Sequence, residues 1–209
     1  PMATYISGSD VKQAFLTADT QALDADGISS AATLGSAGNL TLGGALTSGG
    51  SATFDSGRVV TILSAGNDSG DTFTVTGTDV NGDAQTEDIT GANAGTATGS
   101  KYFKTVTQIA TDGASAGDVS AGINNSAADV IFAGRARLKG LHIMDSGTAG
   151  TLVFPTTSPT GTTNLQIATV ASATVIDDVT IPDNGVLFTA GIYIQYTQST
   201  FTKATAFYA

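Results

Sequence analysis

The strongest constraint on this fold is a stretch of strict alternation that ends in a turn signal. In Thr72-Phe-Thr-Val-Thr-Gly-Thr78, threonine takes every second position, and Asn81-Gly82 separates this run from a second one, Asp83-Ala-Gln-Thr-Glu-Asp-Ile-Thr90. Successive side chains on a strand point to opposite faces, so this pattern specifies two antiparallel strands with one buried face. The loop length then decides the register. A two-residue loop sets Val75 opposite Asp88 and turns Ile89 to the face away from Phe73. A three-residue loop, Val80–Gly82 with Gly82 at positive φ, sets Phe73 opposite Ile89. The second register joins the two large apolar side chains and has a known bulge geometry, so it is the expected one.

Composition agrees with a β chain and narrows its chemistry. Of the 18 acidic residues only Glu87 is Glu and the other 17 are Asp, a residue that favours turns and caps over helix interiors. Charged residues make up 12% of the 209-residue chain, against roughly 25% in an ordinary globular protein. The 41% hydrophobic content still suffices for a core. The absence of Cys excludes disulfides, thiolate zinc sites and cysteine nucleophiles. A single His and no Trp exclude a poly-histidine metal site and a Trp-lined sugar platform within one chain. A net charge of -10 opposes binding to nucleic acid or an anionic membrane, so neither is an expected partner. No apolar run is long enough to cross a membrane as a helix, and Pro1–Ser9 has neither the basic start nor the apolar block of an export signal.

Along the chain, residues 1–33 read as an N-terminal arm. Ser9 or Asp10 is placed to cap a short helix over Val11–Thr17 with Val11 and Phe15 on one face, and Ala18–Asp26 reads as an extended connector. The arm is either a loosely packed terminus or a segment that docks on a neighbouring subunit through Tyr5, Val11, Phe15 and Leu16. Gly- and Ser-rich text follows, with Leu40 and Leu42 alternating around Thr41. Strands are expected at Arg58–Ser64, Tyr102–Ala110 and Val119–Ile123. Turns spaced about 10–15 residues apart fit a β-sandwich over 34–125. Asn124–Asp129 reads as a seam between domains. Beyond it, Val130–Phe132, Ala136–Met144, Leu152–Phe154, Leu165–Val170, Val175–Ile181, Gly185–Phe188, Gly191–Thr197 and Thr202–Tyr208 read as strands of a second sandwich or small jelly roll over 126–209. The fold class expected is therefore all-β, with two sandwich modules behind an arm.

Few residues are arranged for catalysis. His142 lies within a strand pattern, and the chain has no Gly-x-Ser-x-Gly elbow to go with it. Glu87 and Asp88, like Asp177 and Asp178, are sequential on strands and point to opposite faces, so neither couple forms a paired-carboxylate site. Asp79-x-Asn81-x-Asp83 has the spacing that opens a calcium loop, but Ala84 replaces the Gly and Thr90 replaces the Glu such a loop requires. Asn67-Asp-Ser-Gly-Asp71 is a second oxygen cluster. Tight turns use these same residues, and that is the reading preferred for both. No enzyme activity, cofactor or metal is expected. Arg135, Arg137 and Lys139 recur at alternate positions and gather three of the eight cations. They form either a solvated sheet face or a docking site for an acidic neighbour, another copy of this chain included. Tyr193, Tyr196, Phe201, Phe207 and Tyr208 are the concentrated aromatics, and a receptor- or carbohydrate-binding surface would need at least two of them exposed together.

Four segments carry a resemblance. Gly38-Asn-Leu-Thr-Leu-Gly-Gly-Ala-Leu-Thr-Ser-Gly-Gly-Ser-Ala-Thr-Phe54, Arg58-Val-Val-Thr-Ile-Leu-Ser-Ala-Gly-Asn-Asp-Ser-Gly-Asp-Thr-Phe-Thr-Val-Thr-Gly-Thr-Asp79, and Ile89-Thr-Gly-Ala-Asn-Ala-Gly-Thr96 with Tyr102-Phe-Lys-Thr-Val106 resemble a module of tailed-bacteriophage structural proteins. The resemblance covers Leu34–Ile123. It implies an immunoglobulin-like sandwich of the kind found in head-decoration, fibre and tail-associated proteins. The expected function is then that of a capsid decoration, or cement, protein in the virion, binding the outer lattice of the major capsid protein and forming a trimer or other small homo-oligomer. A head-fibre or tail component is the alternative, as is a carbohydrate- or receptor-binding module. The resemblance implies no catalytic residue.

Overall fold

Threonine-rich alternation with Gly and Asp at its breaks builds strands almost throughout. The computed structural model describes residues 11–18, 21–169, 176–198 and 200–209. Among them are sixteen strands and no helix. In chain order these are β1 (Lys12–Thr17), β2 (Asp24–Thr33), β3 (Gly38–Asn39), β4 (Thr47–Ser48), β5 (Ser51–Asn67), β6 (Thr72–Thr78), β7 (Ala84–Thr90) and β8 (Asn93–Thr111). They continue as β9 (Asp118–Phe132), β10 (Ala136–Asp145), β11 (Gly150–Pro155), β12 (Thr163–Thr169), β13 (Ile176–Thr180), β14 (Val186–Phe188), β15 (Ile192–Thr197) and β16 (Phe201–Tyr208). The protein is all-β and its strands form two antiparallel sheets, in keeping with the expected sandwich class. Of the eight strands expected after Asn124–Asp129, seven are present as β10–β16, while the expected Val130–Phe132 is the end of the longer β9; the expected limits Val170 and Val175 lie outside the described residues.

The chain divides into two units. One comprises residues 19–130 with 195–198 and is here called the acidic unit, for reasons given below. Its strands run in the order β9-β5-β8-β6-β7, with β2 on β9, β3 on β8 and β4 on β5. Phe54, Ile62, Phe73, Val75, Ile89, Phe103, Ile109 and Ile123 meet in one buried core. The hairpin of β6 and β7 has the expected register, with Phe73 opposite Ile89. Its loop is Val80–Gly82, closed by a 2.9 Å hydrogen bond from the Asp79 amide to the Asp83 carbonyl, and Gly82 has φ of 88°. Gly77 takes the place of a larger side chain in the buried series Phe73, Val75, Gly77, where β6 and β8 shift register, because a Cβ there would lie 1.9 Å from the Thr105 carbonyl oxygen.

The other unit comprises residues 1–18, 131–194 and 199–209. One sheet has the order β1-β16-β10-β13, with β14 also on β10, and a second ladder runs β12-β11-β15. Leu138, Leu141, Ile143, Leu152, Phe154, Phe188, Ile192 and Phe201 are among its buried apolar residues.

Two expectations need correction. The segment Val11–Thr17 is not a helix: Lys12–Thr17 is an edge strand, paired with β16 from Lys12↔Tyr208 to Thr17↔Lys203. Two turns of helix on a terminus have little stability of their own, whereas the strand gains a ladder and buries Leu16 beside Ala204. The seam between units also falls slightly later than Asn124–Asp129: that run lies inside β9, and the units divide just after it, between Val130 and Ile131. Its polar groups are bonded in place: the Asn124 carbonyl accepts from Arg58, the Asn125 carbonyl from the Gln198 amide, and the Asp129 carboxylate from Ser56 and Tyr196.

Candidate interaction surfaces

The arm residues do not act as one group. Tyr5 lies outside the described residues. Leu16 points into the unit at 8% exposure, while Phe15 points out at 75% and Val11, just before β1, is also exposed. This split follows from the strand period of two, which sends neighbours to opposite faces.

The basic stripe is less regular than its spacing. Arg135 lies in a bend before β10, because that strand begins at Ala136. Arg137 is half-buried and donates from Nη1 to the Gly185 carbonyl at 3.0 Å. Lys139 sits at a register shift, where Leu138 pairs with Tyr208 and Gly140 with Phe207. The inward side chains therefore run Ala136, Leu138, Leu141 and Ile143, and Arg137 and Lys139 lie on the outer face.

On that same face, cross-strand rows bring together residues far apart in sequence. One row is Phe15, Thr205, His142 and Asp178, and the next is Thr17, Lys203, Met144 and Ile176. Met144 and Ile176 are exposed, as is Lys203. His142 Nδ1 and Asp178 Oδ1 are 2.6 Å apart. Sequence reasoning missed Lys203, Met144 and Ile176 as surface residues. The alternation of Lys203 and Thr205 against buried Ala204 and Ala206 was a signal that could have found Lys203.

Charge is divided unevenly between the units. Residues 19–130 and 195–198 hold 13 of the 18 acids and 3 of the 8 cations, which is the whole net charge of -10. The other unit has five of each. Within the acidic unit the Asp79 carboxylate caps its own loop, accepting from the Asn81 amide at 2.8 Å and the Asp83 amide at 3.0 Å. Asn67 does the same for Ser69, and both are the bonds of tight turns. Asp68 instead reaches a segment distant in sequence, accepting from the Ala116 amide at 2.6 Å. Among the aromatics, Tyr193, Tyr196 and Phe201 are buried, and half-buried Tyr208 stacks on Phe132 with ring centroids 5.2 Å apart. Burial pushes the Tyr102 phenol above its ordinary pKa of 10.0.

Glu87 has a role its sequence position did not reveal. It lies on edge strand β7 at 8% exposure. Its Oε1 accepts from the Ser100 amide at 2.5 Å, the Ser100 hydroxyl at 2.8 Å and the Lys101 amide at 3.2 Å. At this point β8 slips against β5, so that Gly99, Ser100 and Lys101 all face Val60. The carboxylate supplies the acceptor that the interrupted ladder does not. A Cβ on Gly99 would lie 2.6 Å from Glu87 Oε2, so glycine leaves the space it fills. Glu87→Ala is expected to destabilise the acidic unit by about 2–3 kcal/mol, with Glu87→Gln costing less, in chemical denaturation of the full chain.

These features define an antiparallel β protein with one strongly acidic unit and one neutral unit bearing a mixed apolar and cationic sheet face. Comparison with family models, curated proteins and solved structures finds no match to this chain in any of the three.

Proposed function

We propose that this chain is a structural protein of a bacteriophage virion, a decoration protein that binds the outside of the major capsid protein lattice and stabilises the head. One observation carries the reading: the residues that hold the resemblance, Leu34–Ile123, all fall within one unit and share one core. They behave as a module, and the proposal takes this module as the immunoglobulin-like part. Its work is mechanical. Each copy buries surface across joints between capsid subunits, and binding to the assembled lattice alone shifts the balance toward assembly. The scarcity of charge suits repeated contact, and the net charge of -10 keeps the protein off the packaged nucleic acid.

Copy number tests this. In virions made from a genome that carries this sequence, cryo-EM and quantitative mass spectrometry are expected to find the chain on the head. Its abundance should equal that of the capsid protein or a simple fraction of it. Five, six or twelve copies per particle would assign it to a fibre or the tail instead, and absence from purified particles would overturn the virion reading.

A further inference from the structure

The outer face of the sheet β1-β16-β10-β13 combines exposed apolar side chains with cations. Phe15, Met144 and Ile176 are among the six large apolar residues most exposed in the described part of the chain. Arg137, Lys139 and Lys203 share their face, and its one in-register acid, Asp178, is engaged by His142. Asp177 and Asp183 lie nearby, on the opposite face of β13 and in the turn before β14. Exposed apolar side chains beside a majority of cations are the make-up of a recognition patch.

We propose that this face binds a second copy of the chain, seated on the acidic unit of that copy. Charge complementarity selects the occupant: the face is locally cationic, and residues 19–130 with 195–198 hold the entire net charge of -10. The same charges select the symmetry. Pairing the face with itself about a two-fold axis would set Arg137, Lys139 and Lys203 against their own copies. Docking on the acidic unit joins two different surfaces, and a head-to-tail contact of this kind makes a ring of three or more copies when its rotation closes and an open filament when it does not. Self-association of this kind does not depend on a place in a virion, and it is read on the isolated full chain.

Sedimentation velocity over a concentration series, at low and high salt, tests it. The full chain is expected to form a discrete species of three or more copies that weakens as salt rises. The double substitution Phe15→Asp with Ile176→Asp should raise the dissociation constant about tenfold or more. Lys203→Glu should raise it several-fold and remove much of the salt dependence. These side chains point outward, and far-UV circular dichroism checks that each variant keeps its β content. Should the double variant fail to fold, Lys203→Glu alone decides. A monomer at every concentration, or an oligomer indifferent to both salt and substitution, would overturn the proposal.

Discussion

Replacing Phe73 by Ala is expected to lower the stability of the acidic unit by about 3–5 kcal/mol, whereas Thr74→Ala next to it costs less than about 1 kcal/mol. Phe73 is fully buried, and its cross-strand partner Ile89 is 4% exposed. Removing the ring sacrifices its transfer free energy and leaves a cavity that Val75, Phe103 and Ile109 can only partly fill. Thr74 points the other way, and its hydroxyl donates to Asp88 Oδ1 at 2.7 Å on an exposed face. An exposed pair of this kind contributes little. Denaturant unfolding of the full chain, followed on the transition of the unit that holds β6, gives both values. The reverse order of costs would mean that the strand carries its other face inward and that the register is wrong by one. A double-mutant cycle of Phe73→Ala and Ile89→Ala adds a second reading, since residues in contact couple and separated ones do not.

The hairpin was legible because all its determinants are local. Alternation sets the faces, Gly82 sets the turn, and only one register joins Phe73 to Ile89. The strands from Ala136 onward were legible for the same reason, each being a short run between turn residues. Long-range pairing was not legible. Lys12–Thr17 reads as a helix when alone, because nothing nearby in sequence states that Phe201–Tyr208 offers it an open edge. That Asn124–Asp129 continues a strand was hidden because its bonding partners, Ser56, Arg58, Tyr196 and Gln198, come from elsewhere in the chain. The candidate surface was half legible. Phe15 and the basic residues were evident from composition and spacing, but Met144, Ile176 and Lys203 join them only through the registers of three strand pairs. The uneven charge division likewise needed the boundaries of the units.

Arg58→Ala is expected to cost about 3–5 kcal/mol, comparable with loss of a core aromatic. In the sequence, Arg58 stands at the head of Arg-Val-Val-Thr-Ile-Leu-Ser, where a cation beside a turn would face solvent. In the structure β5 begins seven residues earlier, at Ser51, and Arg58 lies fully buried near its middle. The guanidinium donates from Nη1 to the Gln21 carbonyl at 2.8 Å and from Nη2 to the Asn124 carbonyl. It thereby ties β5 to the segment before β2 and to β9. Beside it in sequence, the Ser56 hydroxyl and Tyr196 Oη are 2.8 Å apart, and both lie within 2.9 Å of Asp129 Oδ2. Truncation to Ala leaves a cavity and two carbonyls that the guanidinium had satisfied. Arg58→Met restores most of the volume but neither bond, so it should recover only part of the loss. Arg58→Lys keeps the charge but cannot reproduce the two-pronged geometry, and it too should fall between Ala and the native residue. A Met variant as stable as the native chain would show that the site needs volume alone. The expected order instead makes this buried cation the bond between three segments that adjacency in sequence does not connect.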